Sequence, residues 1–176
     1  MINQLITSKT RIRILLKFFL NCQTRSYIRS LESEFGTSTN AIRTELNQME
    51  KAGLLSSLIV GNKKMFYANT RHPLFNDIRN ILLKSYGIDQ INEQITNQII
   101  DLQAAYLTGD FAIGKDSSII DLTLVGNLLN SSFIETLVKN AELKISRRIN
   151  YIIVSKEEMI QFYKNKPVLQ IWKQGA

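Results

Sequence analysis

Apolar residues recur every three or four positions through the first fifty residues and predict three short helices. The first begins after the N-cap Ser8 and runs through KTRIRILLKFFLN, with Lys17 on a basic flank. The second covers about Ser26 to Phe35 and is followed by a turn at Gly36, and the third runs from about Ser38 to Ala52. The residues predicted to face the core are Ile12, Leu15, Leu16, Phe19, Ile28, Leu31, Phe35, Ile42, Leu46 and Met49.

The pattern then changes to the alternation of a β-hairpin. The segment LLSSLIV is rich in strand formers, Gly61-Asn62 is a two-residue turn signal, and KKMFYAN alternates as the return strand. Pro73 begins a further helix that ends at Gly87. The residues predicted to face the core of this helix are Leu74, Ile78, Ile81 and Leu82. Three helices with a glycine turn before the third, followed by a hairpin, are typical of a winged helix-turn-helix.

Helices and strands alternate in the second half of the chain and predict a small α/β unit. A helix burying Ile91, Ile95, Ile99 and Leu102 precedes the strand AAYLT and the glycine-bounded turn GDFAIG. The elements predicted next are a strand over 119–125, a helix over about 131–140 and a strand over 149–154. They are followed by a helix with a Ser155-Glu158 capping box and a short element over 168–172. The predicted class is α+β, with one domain over residues 1–86 and another over residues 87–176.

Basic residues are concentrated in the first half. Residues 1–86 hold 13 Lys and Arg against 5 Asp and Glu, whereas residues 87–176 hold 9 against 10. A basic unit joined to a neutral one is the distribution expected when one half binds a polyanion. Double-stranded DNA is therefore the predicted partner of the first half.

Single cysteine and histidine residues limit the metal and redox chemistry of the chain. Cys22 excludes an internal disulfide and is expected to be a buried thiol, and with His72 alone no Cys/His metal cluster can form within one chain. The apolar run over residues 14–20 is too short to span a bilayer, and no leader precedes it. We expect a cytoplasmic protein with no membrane partner.

The predicted DNA-reading surface lies on the third helix opposite its core face. Its candidate contacts are Thr39, Asn40, Arg43, Thr44 and Asn47. Arg43 is the main candidate for base readout, because a guanidinium can bond guanine with two hydrogen bonds. Four further basic residues are predicted to bind phosphates: Lys63 and Lys64 at the hairpin tip, and Arg25 and Arg29 at the start of the second helix. A solvated helix face also carries such residues, but helix order, hairpin and local charge together favour DNA binding.

Residues 8–86 resemble the arsenic-repressor-like (ArsR-like) winged-helix family: SKTRIRILLKFFL is similar to its first helix, and NAIRTELNQMEKAGLL to its recognition helix and exit. The segment GNKKMFYANTRHPLF resembles a narrower group, in which a nucleotidyltransferase-like domain follows the wing. The resemblance implies a winged helix joined to such a domain.

Active nucleotidyltransferases of the superfamily that the second half resembles hold Mg²⁺ with two aspartates two residues apart on one strand face. In the similar segments TGDFAIG and IIDLTLVG, Asp110 stands in place of the turn serine, Ile119 at the first aspartate and Asp121 at the second, and Asn150 stands at the third acidic position. We therefore predict no catalytic residue, metal or cofactor. A displaced site using Asp116 is an alternative, although solvated turn aspartates are the simpler interpretation. The vestigial nucleotide site would comprise Gly109, Asp110, Gly114 and Asp121.

These observations favour a sequence-specific DNA-binding transcriptional regulator, with repression by promoter occupancy as the expected mode. A homodimer is expected because two half-sites double the contacts of one recognition helix, with pairing through the first helix and the helix of residues 73–86. A small-molecule or nucleotide effector would bind the second domain. The alternatives are a nucleotidyltransferase targeted by a winged-helix module, and a winged-helix module that binds proteins.

Overall fold

The computed structural model describes residues 2–175, which divide into two compact units between Leu82 and Leu83. Each unit has helices and its own β-sheet, so the predicted α+β class is confirmed. The division between the units falls inside a helix, Phe75–Ser85. No helix among residues 2–175 is both long and apolar enough to cross a membrane.

The first unit follows the predicted order of helices and hairpin. Its elements are α1 (Ile2–Leu5), α2 (Lys9–Leu15), a π-helix (Leu16–Leu20), α3 (Ile28–Phe35), α4 (Thr39–Lys51), β1 (Leu55–Val60), β2 (Lys63–Ala68) and α5 (Phe75–Ser85). Ser8 caps α2 as predicted, because its hydroxyl accepts a hydrogen bond from the N–H of Arg11.

The prediction that Lys17 lies on an exposed basic flank is wrong. Lys17 belongs to the π-helix, all of whose residues are buried, and its ammonium lies 2.8 Å from the Glu34 carboxylate. An i→i+5 turn changes the angular spacing of side chains, so a stripe drawn at 3.6 residues per turn does not describe this segment. The ion pair, in which Lys17 is buried and Glu34 is half-buried, joins the π-helix to α3.

Two further predictions for the segment before α3 are wrong. Cys22 is exposed and not buried, since the chain turns outward after the π-helix. The second helix begins at Ile28 and not at Ser26. Ser26 stays extended because its backbone exchanges two hydrogen bonds, of 2.8 and 3.1 Å, with the backbone of Phe66 in β2.

The helix-turn-helix itself agrees with the prediction. Gly36 ends α3 in the left-handed conformation, with φ of 57°, and Ser38 caps α4. The predicted core residues of α4, Ile42, Leu46 and Met49, are all buried. The outward face of α4 is thereby determined by the apolar repeat of its own sequence.

The hairpin forms around the predicted turn at Gly61-Asn62, with Val60 opposite Lys63. The stripe predicted for the helix from Pro73, however, is only partly buried: Leu82 is enclosed, whereas Leu74, which precedes α5, is 53% exposed and Ile81 is 46% exposed. Phe75 is buried instead and stacks on Phe19 at 5.3 Å between ring centroids. Packing of this aromatic ring turns the other apolar face of α5 toward solvent.

The second unit is a four-stranded mixed sheet with helices. Its elements are α6 (Ile88–Gln94), a 3₁₀ turn (Thr96–Gln98), β3 (Ala104–Thr108), α7 (Gly109–Ala112), β4 (Ile119–Val125), α8 (Ser131–Ile145), β5 (Arg148–Val154), α9 (Lys156–Tyr163) and β6 (Leu169–Lys173). The strand order is β5-β4-β3-β6, with β4 and β5 parallel and the other pairs antiparallel. The predicted Ser155-Glu158 capping box is present at α9. The glycine-bounded turn contains one helical turn, α7.

Candidate nucleic-acid interface

A cleft of about 350 Å³ lies between α4, the tip of the hairpin and the start of α3. Five of the predicted DNA contacts line it together: Arg29, Thr39, Arg43, Lys63 and Lys64. Tyr27 and Asn62 also line the cleft and were missed by the sequence analysis. Asn62 was treated only as a turn residue, and the position of Tyr27 depends on the bridge between Ser26 and the hairpin.

The other predicted contacts are exposed beside the cleft. Asn40, Thr44 and Asn47 lie along the outer face of α4, and Arg25 precedes α3. The guanidinium of Arg25 lies 5.6 Å from the ring centroid of Tyr67, which holds it over the hairpin.

Two of the exposed side chains of α4 are already oriented by its first turns. Asn40 Oδ1 accepts a hydrogen bond of 3.3 Å from Arg43 Nη1, and the Thr44 hydroxyl donates to the backbone carbonyl of Asn40 at 2.9 Å. Since a guanidinium has five N–H donors, Arg43 keeps most of its donors for a base edge or a phosphate. Thr44, by contrast, has used its only proton and can act outward as an acceptor or through its methyl group.

The two lysines at the hairpin tip have different surroundings. Lys63 Nζ lies 4.4 Å above the ring of Tyr27, where a cation–π contact holds the ammonium without neutralising it. Lys64 Nζ lies 2.7 Å from Glu50 Oε2. Hydrogen bonds from Lys64 and from the Ser57 hydroxyl lower the pKa of Glu50 below its usual range. The cleft therefore contains one uncompensated lysine and one that is paired with a carboxylate.

The second unit brings the positions predicted to correspond to those of nucleotidyltransferases side by side. Asp121 in β4 pairs with Asn150 in β5, and Asn150 Nδ2 donates to Asp121 Oδ1 at 3.3 Å. Ile119 lies two residues earlier on the same strand face and is exposed. An aliphatic side chain and an amide thus flank the one carboxylate.

The carboxylate of Asp121 lies directly against Gly109, at the start of the glycine-bounded turn. A Cβ placed on Gly109 would contact the carboxylate of Asp121, and the backbone has a φ of 60° there, a conformation that favours glycine. Asp110 pairs with Lys115 at 3.3 Å, and the Gly114 N–H donates to the carbonyl of Phe111. A phosphate placed on this turn would meet the negative charge of Asp121.

The displaced carboxylate site is not formed. Asp116 pairs with Arg147 at 2.9 Å, and no three His, Cys, Asp or Glu side chains within residues 2–175 are grouped as ligands of a metal ion would be. Asp110 and Asp116 are instead each held by a neighbouring basic residue.

No family model matches the chain, and no curated protein matches its sequence significantly. Several solved structures are similar to about half of it. A predicted DNA-binding transcriptional regulator from E. coli has 20% identity and a TM-score of 0.38, over 48% of this chain and 85% of that one. The toxin-antitoxin MntA-HpeT has 18% identity and a TM-score of 0.41, over 50% of this chain and 73% of that one. A possible transcriptional regulator for arsenical resistance has 20% identity and a TM-score of 0.32, over 51% and 88%.

Proposed function

We propose that the chain is a sequence-specific DNA-binding transcriptional regulator. The observation that supports this most strongly is the single cleft in which the first turns of α4, the start of α3 and the hairpin tip present Arg43, Arg29 and Lys63 together. A recognition helix that enters the major groove needs phosphate contacts on both sides of it, and these two basic elements flank α4.

The chemistry of the outer face of α4 suits base readout. Asn40 and Asn47 carry amides that can bond adenine with two hydrogen bonds, and Arg43 can do the same with guanine. All three are exposed, and the opposite face of α4 is anchored in the core through Leu46. The helix therefore presents its polar face in a fixed orientation.

The charge of the hairpin should appear directly in the salt dependence of DNA binding. We expect Lys63→Ala to flatten the slope of log K against log salt by about one unit, because each lysine that neutralises a phosphate releases about 0.9 counterions. The measurement is fluorescence anisotropy with a labelled duplex across a salt series. Lys139→Ala is the control, since Lys139 lies exposed on α8 in the other unit and should leave the slope unchanged.

The same experiment separates DNA binding from the alternative in which the winged helix binds only proteins. A protein-interaction module would show no affinity for any duplex at low salt. Absence of binding at about 50 mM salt, where phosphate contacts are strongest, would refute the proposed function.

We also propose that the regulator is a homodimer paired through α2 and α5. A groove of about 440 Å³ is lined mainly by apolar residues of α1, α2, α4 and α5, including Leu15, Met49, Ile78 and Ile81, together with Arg11 and Gln48. Leu74, just before α5, and Ile81, within it, are exposed apolar residues, so their burial would have to come from a partner. Two-fold pairing would present two recognition helices to two half-sites.

The second unit is proposed to have no nucleotidyltransferase activity. A hard cation such as Mg²⁺ needs oxygen ligands, and Ile119 and Asn150 leave Asp121 as the single carboxylate of the aligned positions. Incubation with Mg²⁺ and labelled nucleoside triphosphates should therefore give no transfer to protein or small-molecule acceptors. Labelling that disappears in Asp121→Ala would establish the enzyme alternative instead.

A further inference from the structure

The carboxylate of Glu50 is held at both of its oxygens beside the proposed DNA-binding cleft. Oε1 accepts a 2.5 Å hydrogen bond from the Ser57 hydroxyl in β1, and Oε2 lies 2.7 Å from Lys64 Nζ in β2. The side chains of Lys64 and Glu50 are 42% and 29% exposed, so solvent and DNA can still reach the pair. Glu50 thus connects the end of α4 to both strands of the hairpin.

The position of Glu50 in α4 is unusual for an acidic residue. It lies in the last turn of the helix, where the negative end of the helix dipole disfavours a second negative charge. The hydrogen bonds from Ser57 and Lys64 offset this cost and direct the carboxylate toward the hairpin. The unfavourable negative charge of Glu50 is thus compensated by Lys64, a predicted DNA contact, which suggests that the pair affects DNA binding.

We propose that Glu50 restrains Lys64 from DNA phosphates and thereby limits the sequence-independent affinity of the hairpin for DNA. This inference rests on the proposed DNA-binding function. Sequence-independent binding consists almost entirely of phosphate contacts, so an ammonium engaged by a carboxylate contributes less to it than a free one. Lys63 forms no ion pair within residues 2–175, and its ammonium, which lies over the ring of Tyr27, supplies the unrestrained charge of the tip.

Removing the charge of Glu50 should therefore increase binding to DNA of random sequence. We expect Glu50→Gln to bind a random duplex of about 25 base pairs roughly three- to tenfold more tightly at about 50 mM salt, with a salt slope steeper by about one unit. Glutamine keeps the size of the side chain and an acceptor for Ser57. Glu50→Ala gives the same test if the glutamine variant does not fold, as judged by circular dichroism.

Two controls separate release of Lys64 from a simple change of net charge. Glu45→Gln removes one negative charge from the same helix, but Glu45 pairs with Arg11, which does not line the cleft. This variant should change the affinity by less than about twofold. In a Lys64→Ala background, substitution of Glu50 should have no further effect, since the two residues would act as one coupled pair.

The inference fails if Glu45→Gln and Glu50→Gln give equal gains, or if the gain from Glu50→Gln persists without Lys64. It also fails if Glu50→Gln leaves both the affinity and the salt slope of a DNA-binding wild-type protein unchanged. If the wild-type protein binds no DNA at low salt, the proposed function itself fails, so the two failures are distinguishable.

Discussion

Replacing Ile81 with glutamate should convert the proposed homodimer into monomers. Ile81 is 46% exposed at the surface of the apolar groove between α2 and α5, so pairing would enclose it. A carboxylate placed there would have to be desolvated against Ile78 and Leu15, and the Arg11 guanidinium that also lines the groove is already paired with Glu45. We expect the dimer dissociation constant to rise at least about tenfold, which corresponds to about 1.4 kcal/mol.

Sedimentation velocity across a range of protein concentrations would measure this change. The matched control is Leu143→Glu, because Leu143 is an apolar residue that is 84% exposed on α8 and does not line the groove. Loss of dimer in Ile81→Glu alone, with an unchanged circular dichroism spectrum, would support pairing through α5. A wild-type protein that stays monomeric at every concentration, or an Ile81→Glu variant that dimerises normally, would contradict it.

Replacing Arg43 with alanine should reduce discrimination between DNA sequences. A guanidinium that bonds a guanine with two hydrogen bonds contributes about 1–3 kcal/mol to discrimination against the wrong base. Arg43 lines the cleft, and its bond to Asn40 orients it without occupying most of its donors. We therefore expect the affinity for the duplex that the wild-type protein prefers, divided by the affinity for a random duplex, to fall about 5- to 150-fold.

Arg43→Lys is the control that separates charge from geometry. Lysine keeps the positive charge but lacks the planar pair of donors, so it should retain affinity for a random duplex while losing discrimination. The preferred duplex can be obtained by selection from random sequences with the wild-type protein. If both variants discriminate between sequences as well as the wild type does, Arg43 does not read bases. If only Arg43→Ala weakens binding, and does so equally for all sequences, Arg43 contacts a phosphate.

Much of the fold was predictable because the signals are local. Ile42, Leu46 and Met49 repeat at helical spacing and are buried as the repeat predicts. Gly61-Asn62 allows a tight two-residue turn, and this turn alone sets the register of the hairpin. In these cases one stretch of backbone contains both the residues that give the signal and the hydrogen bonds that result from it.

Three of the predictions that were wrong, on Lys17, on the start of α3 and on α5, concern residues whose surroundings come from a distant part of the chain. The ion pair of Lys17 with Glu34 and the backbone bridge of Ser26 with Phe66 join segments that are far apart in sequence. The burial of Phe75 against Phe19 likewise determined which face of α5 was left exposed. Periodicity identifies an apolar face of a helix, but it does not show which of two adjacent faces packs against another element.

The sequence by itself determined the order of helices and strands, the α+β class, the outward side chains of α4 and the concentration of positive charge in the first half, because composition and periodicity act within single elements. Only the tertiary structure decided that Arg43, Arg29 and Lys63 line one cleft, and that Lys64 is paired with Glu50. Short-range contacts between side chains depend on distances of a few ångströms between separate elements, and these distances are set by packing.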